Sequence, residues 1–195
     1  MWLGLPTYTQ EFGQSFVYAF RNGKSEPIFA TDGAEGIDAA ENGDLFVVED
    51  KPSGSLLKYS KKSGSVVALV DGLNQAEGVC VMDSGTIYYV EKSSDTVFQI
   101  VKGSIMPFVS GLTKPAYLHC DENRNGVWIT EDRRHFGRLL FARVGGSFQI
   151  IATGLSSPQS LDFDDDGNLF LAEQGKNRIL KFTPQDRYLA SYGDL

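Results

Sequence analysis

An all-β propeller of four-stranded antiparallel blades is the fold that three observations predict. Residues 34–49, 76–91, 115–131 and 158–173 align with one another, with Ile37, Val79, Leu118 and Leu161 equivalent. Their spacing of about 40 residues is that of a propeller blade. Each copy repeats one order of short apolar strands and polar turns, and no stretch carries a helical period.

Taken in order, residues 1–33 read as a partial blade. Residues 2–5, 15–20 and 26–30 supply its strands two, three and four, and its innermost strand is missing. Full blades are expected at about 34–75, 76–114, 115–156 and 157–195, all within a single domain, 1–195. Each opens with a short apolar strand and turns at a hairpin: Asn42 and Gly43, Ser84 and Gly85, Asn125 and Gly126, Asp166 and Gly167. These residue types accept the positive φ that a tight hairpin demands. The second strands are rich in aromatic and β-branched residues. Third and fourth strands follow as 55–59 with 66–70, 96–101 with 105–109, 138–142 with 148–152, and 178–182 with 187–192.

That arrangement amounts to about five blades. Either a five-bladed ring closes imperfectly, or the chain is a piece of a larger, six-bladed ring. The second is favoured, because closed propellers complete their first blade with a strand from the other terminus.

Composition narrows the classes of partner. An apolar fraction of 42%, with 13 Phe and 8 Tyr, suffices for one packed core. No apolar run reaches membrane-spanning length, which argues against a membrane protein. The first residues lack the basic and apolar regions of a signal peptide, so the expectation is a cytoplasmic protein, or a secreted one if an N-terminal part is missing. With 25 acidic against 18 basic residues, the net charge of -7 disfavours nucleic acid as a partner. Cys80 and Cys120 fall on innermost strands of consecutive blades, offset by one residue. Alternation along a strand turns such side chains to opposite faces, which predicts buried, reduced thiols and no disulfide.

Several carboxylates stand out. Asp162, Asp164, Asp166, Gly167 and Glu173 match a calcium-loop spacing. That spacing works between two helices, so an ordinary hairpin turn is expected here. Glu49, Glu91, Glu131 and Glu173 close the second strand of every blade and are expected at the mouth of the central channel. Converging there, they would repel one another unless a cation compensates, and a hard divalent ion held by oxygen ligands is the natural one. Their recurrence also suits a scaffold role, accepting backbone hydrogen bonds that keep adjacent sheets in register. Glu35 and Glu77 lead into the first two innermost strands without counterparts in the later blades, which makes them the better site candidates.

Residues 158–182, with the Asp-Gly-Asn turn at 166–168 and Asn177-Arg178-Ile179 entering the third strand, resemble an NHL-type repeat. Together with Glu35-Gly36 and Glu77-Gly78, the chain is similar to the six-bladed gluconolactonase and senescence-marker-protein superfamily. The endings at 128–131 and 170–174 also resemble the virginiamycin B lyase family, which is seven-bladed and metal-dependent. The resemblance implies a metal site with ligands from loops before the innermost strands. Glu35 and Glu77 match its Glu-Gly pattern, while the later loops depart from the Asn-Gly and Asp-Gly pattern and offer only the neutral amide of Gln159. A metal there, calcium first and magnesium or zinc as alternatives, would polarise a lactone carbonyl and lower the pKa of a bound water.

Two histidines remain. His119 lies on an innermost strand, where packing between blades is its expected role. His135 lies in a loop on the same end as the channel mouth and is the candidate general base, beside Arg133 and Arg134. The resulting expectation is a metal-dependent hydrolase of the lactonase or esterase type acting on a small molecule at the channel mouth. One alternative is a non-catalytic propeller that binds a protein or ligand. The other is a lyase of the virginiamycin B type.

Overall fold

The computed structural model of the protein describes residues 15–145 and 147–184. A two-stranded ladder, β1 (Ser15–Arg21) and β2 (Lys24–Thr31), comes first. Blade one follows as β3 (Ala34–Ala39), β4 (Leu45–Glu49), β5 (Gly54–Tyr59) and β6 (Val66–Leu73). Blade two is β7 (Ala76–Val81), β8 (Ile87–Glu91), β9 (Val97–Val101) and β10 (Ser104–Val109). Blade three is β11 (Pro115–Asp121), β12 (Gly126–Glu131), β13 (Gly137–Arg143) and β14 (Phe148–Leu155). Blade four shows β15 (Pro158–Phe163), β16 (Leu169–Glu173) and β17 (Arg178–Phe182), with one 3-10 turn at Gln174–Lys176.

Among the described residues four blades carry an innermost strand, and the expectation of about five is corrected to four. The leading ladder has two strands and no innermost strand among the described residues. The strands expected at 2–5 and 187–192 lie outside the described residues. The hairpin turns behave as their residue types require, with Gly43, Gly85 and Gly167 at φ of 81°, 81° and 74°. In blade three the left-handed residue is Asn125, and Gly126 already belongs to the strand.

Alternation along the strands makes the core a series of layers between blades. Leu45 and Val47 face Val17 of the leading ladder, whereas Phe46, Val48 and Leu56 pack on Val79, Val81, Ile87 and Tyr89 of blade two. Tyr88, Val90 and Val97 pack forward on Val127, Ile129 and Leu140 of blade three. Trp128, Leu139 and Phe141 pack in turn on Leu169 and Leu171 of blade four. The front of each blade thus closes against the back of the next.

This front-to-back stacking overturns the expectation for the cysteines. Cys80 and Cys120 form a disulfide with Cα atoms 5.5 Å apart. The one-residue offset does turn them to opposite faces of their own sheets, yet opposite faces of consecutive blades are the ones that meet. Both cysteines accordingly belong to the layer between blades two and three.

Innermost strands run side by side, β3 by β7, β7 by β11 and β11 by β15. Their approach is close enough to need glycine at Gly78, where a Cβ would lie 2.3 Å from the Ala116 carbonyl oxygen. The Gly36 and Gly78 of the Glu-Gly pairs thus serve blade packing. Gly78→Ala is expected to cost about 2 kcal/mol, because the obstructing atom is backbone and cannot swing away. Urea unfolding measures this, and an unchanged midpoint would contradict the packing role.

Candidate ligand-binding cleft

The four innermost strands enclose an open cleft of about 670 Å³. At one end Tyr117 Oη donates a 2.6 Å hydrogen bond to Glu35 Oε1, tying blade three to blade one across the cleft. At the other end stand Asp38, His119 and Asp162, equivalent positions on β3, β11 and β15. The fourth equivalent is Cys80, so the disulfide lies in the cleft wall.

Asp38 is anchored by its backbone neighbours. Its Oδ2 accepts Val81 N–H and its Oδ1 accepts Ala39 N–H, both at 2.8 Å. Burial pushes its carboxyl up, the two N–H donors and His119 oppose that, and Asp162 adds to it. His119 Nδ1 lies 3.9 Å from Asp162 Oδ1, and its ring tilts against Phe163 at 5.2 Å. Glu122 Oε1 accepts the Asp83 N–H at 2.7 Å, linking the hairpins of blades three and two.

The expected metal ligands are not gathered together. Glu35 lines the cleft and takes the Tyr117 hydroxyl. Glu77 is buried and ion-paired with Lys92. Burial pushes its carboxyl up, Lys92 opposes that, and Asp132 and Asp50 reinforce it. Gln159 is half-buried on β15, outside the cleft lining. Among the described residues, no group of three or more His, Cys, Asp or Glu side chains is placed to hold a metal ion.

The glutamates expected at the channel mouth are clamps on the connections between blades. Glu49 takes Asp32 N–H at 3.0 Å, Glu91 takes Asn74 N–H at 2.6 Å, Glu131 takes Thr113 N–H at 2.7 Å and Glu173 takes Ser156 N–H at 2.8 Å. Each donor lies in the crossover that delivers the chain to that blade's innermost strand. Glu131 is also held by Arg138, and Glu173 by Arg178 and Lys176. None of the four lines the cleft. In the calcium-like motif Asp164 Oδ1 accepts Asn168 N–H at 2.8 Å, which closes a hairpin turn.

The loop between β12 and β13 holds Arg133, Arg134 and His135. His135 and Arg134 are exposed, His135 has φ of 69°, and Arg133 covers the exposed Phe136 ring at 5.6 Å. None of the three lines the cleft, so the expected base stands apart from it. His119 packs between blades, against Phe163 of blade four, as its strand position predicts, and it also lines the cleft. Its alignment with Asp38 and Asp162 was the available signal, since three of the four equivalent positions carry polar groups and only Cys80 joins a buried apolar layer between blades.

No family model matches the chain, and no curated protein matches it in sequence. Solved structures share its fold. Selenomethionine-substituted virginiamycin B lyase from Staphylococcus aureus superposes with a TM-score of 0.66 at 14% identity, over 92% of this chain and 66% of that one. A catalytically inactive variant of that lyase with quinupristin gives 0.67 at 14%, over 95% and 71%. An auxiliary nutrient binding protein from Bacteroides thetaiotaomicron gives 0.71 at 11%, over 89% of this chain and 51% of that one. The chain thus spans about two thirds and about half the length of these proteins. At such identities the shared property is the architecture, a β-propeller of four-stranded antiparallel blades.

Proposed function

We propose that the protein binds a small, positively charged molecule in its central cleft, as a ligand-binding propeller. The observation that carries this reading is the cleft itself. Its volume suits a small molecule, and among the described residues its charged lining consists of Glu35, Asp38, Asp83, Glu122 and Asp162 with His119, without Lys or Arg. Carboxylates in a concave wall attract a cation and repel an anion. A metal-dependent lactonase is the weaker reading, because Glu35 and Glu77 are engaged by Tyr117 and Lys92. The disulfide supports an oxidising compartment for the folded protein.

A lyase reading comes second, favoured by the approach of His119 to Asp162 inside the cleft. There the imidazole would take a proton from a carbon of a bound ester, the C–H electron pair would form a double bond as the neighbouring C–O bond breaks and the carboxylate leaves, and Asp162 would stabilise the imidazolium.

Thermal-shift titration with diamines, amino sugars and dicarboxylates separates the readings. Cationic probes are expected to raise the melting temperature, and the effect should shrink as salt is added. Asp162→Asn, at an exposed carboxylate, should lower cation affinity about fivefold. A response to dicarboxylates alone would overturn the proposal. Opening of a cyclic ester to an unsaturated carboxylate without uptake of water, abolished by His119→Ala, would favour the lyase.

A further inference from the structure

The junctions between blades one and two, two and three, and three and four can be compared position by position. Phe46, Tyr88 and Trp128 are equivalent on the second strands and lie opposite Lys58, Gln99 and Phe141 on the third. On the outermost strands a β-bulge leaves one residue out of register in each blade: Leu69 in β6, Phe108 in β10 and Ile151 in β14. Between blades two and three, Phe108 sets its ring 4.7 Å from that of Tyr88 and is 7% exposed. Between blades three and four, Phe141 sets its ring 4.7 Å from that of Trp128 and is 5% exposed. Each of these junctions is thus filled by a ring laid on the aromatic residue of the second strand.

Between blades one and two neither position supplies a ring. Lys58 holds one of them, with its Nζ 5.7 Å from the centre of the Phe46 ring and 3.0 Å from Asp44 Oδ2. Leu69 holds the other and is 36% exposed. A groove of about 440 Å³ opens there, with buried Phe46, Ile87 and Ile100 as its apolar floor and Leu69 at its side. It shares only Val81 and Asp83 with the lining of the central cleft.

We propose that this groove is a second binding site, for a small uncharged aromatic molecule whose ring takes the place that Phe108 and Phe141 fill from within the chain at the other two junctions. The ring packs on Leu69 and Ile100 and turns its π-face to the Lys58 ammonium, which attracts it through the ring quadrupole. A saturated ring of the same size has no such face and forgoes that attraction. Charge favours a neutral ligand. Asp44 and Lys58 neutralise each other, and the remaining charged lining is Glu41 and Asp83 against Lys102. A carboxylate on the ligand would meet the two acids and an ammonium would meet the lysine, so neither gains over an uncharged ring.

Methyl-resolved NMR on the full chain tests this, with phenol as the probe. The methyl signals of Leu69, Ile87 and Ile100 should shift saturably as phenol is added. Cyclohexanol, which lacks a π-face, should bind about fivefold more weakly, and benzoate and benzylamine should both bind more weakly than phenol. Leu69→Phe, at a partly exposed position, supplies the ring that Phe108 supplies one blade later. It should abolish the phenol-dependent shifts of Ile87 and Ile100 and raise the melting temperature. Methyl signals indifferent to phenol overturn the proposal, as does cyclohexanol binding equal to that of phenol. Tighter binding of either charged probe, or undiminished phenol binding by folded Leu69→Phe, would do the same.

Discussion

Replacing Cys80 and Cys120 together by alanine, or reducing their disulfide, is expected to lower unfolding stability by about 4 kcal/mol. The bridge closes a sequence separation of 40 residues, and a loop of that size loses about this much unfolded-chain freedom when cross-linked. For a domain of this length, the change corresponds to a melting temperature lower by about 10 °C. Differential scanning calorimetry with and without reductant measures it. A melting temperature indifferent to reductant would mean that the layer between blades two and three holds without the bridge. The effect should be larger than at any surface position, because the disulfide joins two innermost strands that share no backbone ladder.

Glu131→Ala is expected to cost about 3 kcal/mol, because it strands two partners. Glu131 is fully buried, and its loss leaves the Thr113 N–H and the Arg138 guanidinium without their acceptor. Glu91→Ala, at a partly exposed clamp on the Asn74 N–H, should cost only about 1 kcal/mol. Equal costs in chemical unfolding would rule out burial as the source of the difference. Acid tests the same device at Glu173. Burial pushes its carboxyl up, but hydrogen bonds from Lys176, Arg178 and the Ser156 N–H outweigh this and hold its pKa at about 2, below the usual 4.5. A depressed folded pKa stabilises the protein above the unfolded value. This contribution should therefore fade as pH falls from about 4.5 toward 2. Glu173→Gln should remove that part of the acid sensitivity.

Much of the scaffold was legible because blade formation is local. Strand alternation, the Asn, Asp, Ser and Gly turns and the closing glutamates lie within about 40 residues of one another. The recurrence of Glu49, Glu91, Glu131 and Glu173 marked a repeated job, and each clamps a crossover. Much less of the cleft was legible. Glu35, expected as a metal ligand, lines the cleft and is engaged by Tyr117, which stands 82 residues away. Glu77 is engaged by Lys92, a partner that no repeat or motif marks. His119 was read by its strand and His135 by its loop, and the structure places the first in the cleft and the second outside it.

The sequence by itself determined the blade: its strands, its hairpins, its period and the alternation that divides each sheet into a front and a back. Those features depend on neighbours along the chain, so periodicity records them. Tertiary structure alone decided what one blade meets in the next. It joined Cys80 to Cys120, set Tyr117 on Glu35 and paired Glu77 with Lys92. Such contacts follow from stacking front on back, and the pattern within one blade does not specify which residues that stacking brings face to face.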